Sequence, residues 1–181
     1  MGRLSRRKGF DQVIRALPIL LKQGIDAHYV LIGIGEDQAY LSALAEELGV
    51  AARLHMPGHV SSEDLPRWYN AADVFAMPNR EINGDTEGFG MVFLEAAACA
   101  KPAIAGDAGG TGAAVVHGVT GLRVNGSVTE EVSAALARVL TEIEFAKQLG
   151  ANALVRARAE FGWDIVAEKT KRLALSPADK L

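Results

Sequence analysis

His28-Tyr29-Val30-Leu31-Ile32-Gly33-Ile34-Gly35-Glu36 is the stretch that decides the fold. Residues 28–33 form a short, largely apolar run closed by glycine, which predicts a strand. Residues 36–48 follow at once with Tyr40, Leu41, Leu44 and Leu48 on one helical face, and Gly49 ends that helix. A strand without polar alternation is expected where helices cover both sheet faces. A strand running straight into a helix is the repeating unit of a parallel α/β sheet.

The same alternation extends in both directions. Upstream, residues 11–22 read as a helix that contains Pro18, which costs stability or kinks it. Downstream, residues 53–56 predict a short strand stopped by Pro57-Gly58. Ser61 or Ser62 caps a helix carrying Leu65, Trp68 and Tyr69. Residues 73–77 predict a strand stopped by Pro78, and a polar loop covers 79–86. Residues 90–99 read as a helix, 103–106 as a strand, 106–112 as a glycine-rich turn into a short helix, and 122–124 as the last strand. From 127 to about 175 the chain reads as helical, with breaks near Glu142 and Gly162. No internal repeat or linker interrupts the 181 residues, so residues 1–181 are expected to form one doubly wound, Rossmann-like α/β domain.

Composition narrows the function. Net charge is −3 with acids and bases mixed, so nucleic acid is not expected as a partner. Cys99 is the lone cysteine and reads as a small buried hydrophobe, which suits a reducing, cytoplasmic setting. No secretory leader and no apolar run of about eighteen residues is visible, so no transmembrane segment is expected. Peripheral membrane contact is left open.

Several chemistries are argued against by motif. No GxxxxGK followed by Ser or Thr is present, and Gly33-Ile34-Gly35 lacks the third glycine of a dinucleotide fingerprint, since Gln38 stands there. No GxSxG elbow occurs. His55 and His59 are separated by Pro57-Gly58, which breaks any helix that would align them on a metal. No two aspartates stand two apart, so no metal site and no cofactor are expected.

Two stretches remain. In Gly2-Arg3-Leu4-Ser5-Arg6-Arg7-Lys8-Gly9-Phe10-Asp11, four cations fall within six residues just before a helix. A helix N-terminus offers free N–H groups and a positive dipole end, so the segment suits a diphosphate. The plainer reading is a solvated basic loop. In Glu87-Gly88-Phe89-Gly90-Met91-Val92-Phe93-Leu94-Glu95, one glutamate precedes a helix and the other lies on it eight positions later. Eight helical residues rise about 12 Å. That spacing suits the two sugars of a nucleotide sugar with the diphosphate between them, because carboxylates accept well from vicinal hydroxyls. Gly88 and Gly90 would let a ligand approach the backbone. The plainer reading of Glu95 is a salt bridge or a rim position, since a buried carboxylate needs a partner.

Together, in order and spacing, these motifs resemble family 4 of the retaining glycosyltransferases, in the C-terminal domain of its two-domain GT-B fold. Gly33-Ile34-Gly35-Glu36, Pro57-Gly58-His59-Val60, Ala72-Asp73-Val74, Lys101-Pro102, Gly109-Gly110, Gly118-Val119-Thr120-Gly121-Leu122 and the stretch Phe161-Gly162-Trp163 match as well, over almost the whole chain. The resemblance implies an enzyme that moves a sugar from a nucleoside-diphosphate donor to a hydroxyl acceptor. It implies that Arg3 and Lys8 bind the diphosphate, and that Glu87 holds the transferred sugar beside Gly88, Phe89 and Gly90. The Met91 and Val92 amides would reach the diphosphate, Glu95 the ribose, and the backbone of Val60 the base, with Gly33 and Gly35 lining the donor. Retention by front-face attack would require no protein nucleophile.

The chain departs from that pattern at Ala113, where the family usually has glutamate, and at His117, where it usually has aspartate. The family's first, central strand would end at about Met1, so that strand and the N-terminal acceptor domain are expected to be missing here. Two further readings follow from the same residues: a nucleotide-sugar epimerase of the same architecture, and a non-catalytic nucleotide-sugar-binding fragment.

Overall fold

The computed structural model describes residues 1–175. Its elements run α1 (Phe10–Lys22), β1 (Tyr29–Ile32), α2 (Gln38–Glu47), β2 (Leu54–Gly58), α3 (Leu65–Ala71), β3 (Phe75–Met77), α4 (Met91–Ala98), β4 (Ala103–Gly106), α5 (Thr111–Ala114), β5 (Gly121–Val124), α6 (Thr129–Thr141), α7 (Ile143–Glu160) and α8 (Trp163–Leu175). Every named strand pair is parallel. On one side of the sheet α1 packs between α2 and α6, and on the other α4 packs between α3 and α7. Leu31, Met77 and Ile104 are fully buried between the layers, which explains their unbroken apolar strands.

One strand boundary differs from expectation. β2 passes through Pro57 to Gly58, whose carbonyl accepts from the Gly33 N–H at 2.8 Å. β2 lies at the sheet edge and pairs with β1, so the missing N–H of Pro57 is tolerated there.

The sheet is in two parts, β1-β2 and β3-β4-β5. Between β1 and β3 lies a cavity of about 810 Å³, bordered by Val13, Leu17, Leu20, Tyr29, Phe75 and Val139. This is the position of the central strand in the expected order. At one end of the gap residues 1–4 run beside β1, where Gly2 donates to Ile32 O at 2.9 Å and Leu4 to Ile34 O at 3.0 Å. Deeper in, the Tyr29 hydroxyl donates to Ala76 O of β3 at 3.2 Å and bridges the two half-sheets.

The stretch Met1 to Gly9 is tied to the loop after β3 as well. Gly9 sits at φ 72°, and a Cβ there would fall 1.9 Å from Pro78 O. Arg80 donates its backbone N–H to Arg7 O at 2.8 Å, and its guanidinium grips both oxygens of the buried Asp11 at 2.9 Å each. Gly9→Ala is therefore expected to cost more than the ~1–2 kcal/mol that left-handed backbone alone costs an L-residue. Gly24 has φ 79° with no atom within 4 Å of its Cβ position, so Gly24→Ala is expected to cost about that strain and no more. Urea midpoints of the two variants test the contact, and equal shifts would contradict it.

Candidate functional site

The loop after β4 packs on the β3 loop at Glu87 and Gly88, and the loops that follow β1, β2 and β3 meet residues 1–9 over the carboxyl ends of the strands. That is where open α/β sheets bind ligands. Gly33 has φ 137°, and a Cβ on it would lie 2.0 Å from Gly2 O, while one on Gly35 would lie 2.3 Å from Leu4 O. The two glycines thus let residues 2–4 cross the β1 turn in backbone contact.

A second cavity of about 810 Å³ opens beside this crossing. Arg3, Gly33, Gly35, Val60, Val92 and Glu95 border it, so six of the residues singled out from the sequence meet in one place. Arg3 is exposed and its Nε lies 3.1 Å from Glu36 Oε2. Glu36 is held below the usual carboxylate range by its own backbone amide and then by Arg3. On the opposite wall Glu95 accepts from the Tyr69 hydroxyl at 2.7 Å. Burial pushes that hydroxyl far up, and the Glu95 contact adds to it, so it stays a donor. Glu95 thus has the partner that a carboxylate on an apolar helix needs.

Lys8, Glu87, Gly88, Phe89, Gly90 and Met91 lie outside that lining. Lys8 and Glu87 are instead paired with each other, with side chains 11% and 12% exposed. Lys8 Nζ donates to Glu87 Oε2, and Arg7 Nη1 donates to the same oxygen at 3.0 Å. Burial alone would raise Glu87, but the Lys8 bond and charge, reinforced by Arg7, take it below the ordinary carboxylate value. Gly90 caps α4 with φ 85°. Among the described residues, the first-turn amides of Met91 and Val92 make no hydrogen bond, so α4 presents free donors and its positive end between the two glutamates.

Sequence reasoning missed three participants. Arg7 stood unremarked beside Lys8 in the basic run. Tyr69 was read only as one of the large side chains carried by its helix, and its hydroxyl partner comes from another element. Asp85, in the polar loop, faces Arg7 at 3.1 Å from Nε.

A doubly wound parallel sheet that collects these groups over its carboxyl edge is one half of a GT-B glycosyltransferase fold. The chain belongs to the family described as glycosyl transferases group 1, whose model matches residues 1–156. It is 39% identical over 171 residues to the GDP-mannose-dependent alpha-(1-6)-phosphatidylinositol monomannoside mannosyltransferase of Mycobacterium tuberculosis, covering 93% of this chain and 44% of that protein. The chain therefore spans less than half the length of this relative. Anabaena HepE in complex with UDP-glucose superposes with a TM-score of 0.83 at 27% identity, over 96% of this chain and 48% of that one. The C-terminal domain of a glycosyl transferase group 1 family protein from Francisella tularensis has the same fold, with a TM-score of 0.74 at 24% identity, and the match covers 94% of this chain and 83% of that domain. Among the described residues, no helix is long and apolar enough to cross a membrane.

The Glu87 pair has a signed pH dependence. A carboxyl whose folded value is depressed contributes stability above its unfolded value, here 4.5, and loses it as pH falls through the folded value. Glu87→Gln is therefore expected to destabilise the protein by roughly 1–3 kcal/mol at pH 7. The gap to the parent protein should shrink steadily below pH 4.5. Thermal melts across that range check it, and a gap independent of pH would contradict the pairing.

Proposed function

We propose that the chain is the donor-binding half of a retaining glycosyltransferase of family 4, with GDP-mannose as its donor. The observation that carries this reading is the free N-terminus of α4, flanked by Glu87 on Lys8 and Glu95 on Tyr69. The order suits a donor laid across the helix end. Its ribose would sit on Glu95, its diphosphate on the Met91 and Val92 amides, and its mannose on Glu87. Arg3, exposed at the rim, would leave Glu36 to meet the diphosphate. The base would enter between the Gly33–Gly35 turn and Val60. GDP-mannose is favoured by the activity named for the mycobacterial relative.

In the reaction the C1–oxygen bond to the diphosphate breaks, and its electron pair stays on the phosphate. The acceptor hydroxyl attacks from the same face and its proton passes to that phosphate oxygen. Cations and helix amides offset the growing charge on the leaving group, so this route uses neither a metal nor a protein nucleophile. The acceptor site is placed in a second, N-terminal domain that is not among these 181 residues. By themselves these residues would bind donor in an open groove and transfer little.

The two glutamates give the reading its test. Glu95→Ala should weaken GDP and GDP-mannose alike, because both carry the ribose. Glu87→Ala should spare GDP and weaken GDP-mannose, by about 1.5–3 kcal/mol for a lost charged hydrogen bond. Calorimetry with both ligands decides. Equal losses at Glu87 would overturn its assignment to the sugar.

A further inference from the structure

Lys8 and Arg7 are adjacent cations on one short turn, Arg6–Lys8, and both reach Glu87. Their geometries differ. Lys8 delivers a single point charge. Arg7 spreads a planar fork over three consecutive residues: Nε lies 3.1 Å from Asp85 Oδ2, and Nη1 donates to Thr86 O at 3.4 Å and to Glu87 Oε2 at 3.0 Å. A guanidinium is suited to this because its donors are fixed in one plane, whereas an ammonium cannot span acceptors so arranged.

The surroundings make that fork consequential. The loop containing residues 79–86 is anchored at its start by the Arg80–Asp11 pair and by the Arg80 amide on Arg7 O. It turns at Asn83, a non-glycine at φ 53°, between the Ile82–Asp85 hydrogen bonds. Its far end must then deliver Glu87 to the helix terminus. There Glu87 O accepts from the Gly110 amide at 2.8 Å. Both cations engage Oε2, and Oε1 has no hydrogen bond among the described residues, which leaves it as the acceptor for a ligand hydroxyl. Arg7 is a quarter exposed and, like Glu87, lies outside the lining of the cavity that holds Arg3 and Glu95.

We propose that Arg7 is a positioning residue for the donor sugar: its guanidinium clamps residues 85–87 so that Glu87 presents Oε1 to a sugar hydroxyl, while Arg7 itself touches no phosphate. The proposal rests on the donor-binding reading above for its sugar, but not for its clamp. Arg7 discriminates a sugar-bearing nucleotide from a bare one without contacting either.

The test uses the full chain with Arg7→Ala and Arg7→Lys, and has one arm without ligand. In the ligand-free arm, hydrogen exchange at the Ile82, Asp85 and Gly110 amides should speed up about tenfold in both variants, as local opening becomes easier. The Asp37 amide, bonded to Leu4 O, is the control and should not change. In the ligand arm, calorimetry should show GDP affinity within about threefold of the parent, and GDP-mannose affinity at least about tenfold weaker, in Arg7→Ala. Arg7→Lys keeps the charge beside Glu87 and loses the fork, so it should remain weak for GDP-mannose. Equal loss of both ligands would make Arg7 a phosphate ligand and overturn the proposal. Full rescue by lysine, or unchanged exchange at those three amides, would overturn it too. Failure of the parent chain to bind either nucleotide would count against the donor reading, and the exchange arm would still decide the clamp.

Discussion

The carboxylate of Glu87, shared by Lys8 and Arg7, joins two parts of the chain some eighty residues apart, and the site depends on that junction. The basic loop before α1 and the glycine-rich loop before α4 would otherwise be independent surface segments. Pairing them holds Glu87 in place just ahead of the α4 N-terminus, whose first amides are free. It also explains why a lysine and a glutamate tolerate near-complete removal from water: each satisfies the other, and a lone buried charge would be costly. The backbone contact of Gly9 with Pro78 and the Arg80–Asp11 pair support the same junction from beneath.

β1 and β3 face each other across a cavity bordered by side chains of both strands and of the helices, and the Tyr29 hydroxyl bond to Ala76 O spans it. Residues 1–4 follow β1 for a short distance and then carry Arg3 and the turn Arg6–Lys8 into the site. Arg7, Lys8 and Gly9 are tied in turn to the loop after β3, through the Arg80 amide on Arg7 O and the close approach of Gly9 to Pro78. The glutamates hang from the continuous part, β3-β4-β5.

Much of this was legible in the sequence because the signals were local. The stretch 28–49 announced a parallel α/β fold by pattern alone, and the breaks near Glu142 and Gly162 fell where α6, α7 and α8 part. The eight-residue spacing of Glu87 and Glu95 was given a helical rise throughout, but α4 begins at Met91, so only its second half lies on the helix and Glu87 stands in the loop before it. What was not legible depends on the fold. Arg6 and Arg7 are chemically identical neighbours, yet Arg6 turns to Asp37 and stacks on Tyr40 while Arg7 turns to Glu87. No local pattern separates them. Tyr69 lies on a core-facing position, and only the approach of α4 shows that its hydroxyl serves Glu95. Pro57 looked like a strand terminator because its tolerance at an edge depends on which strands pair.

In the proposed arrangement donor lies across the N-terminus of α4, between Glu95 and Glu87. A crystal structure of the chain soaked with GDP-mannose tests it most directly. The diphosphate is expected on the Met91 and Val92 amides, the ribose hydroxyls on Glu95, and a mannose hydroxyl on Glu87 Oε1 with Arg7 unmoved. Nucleotide bound instead in the cavity between β1 and β3, or with its ribose on Glu87 and its mannose on Glu95, would contradict it.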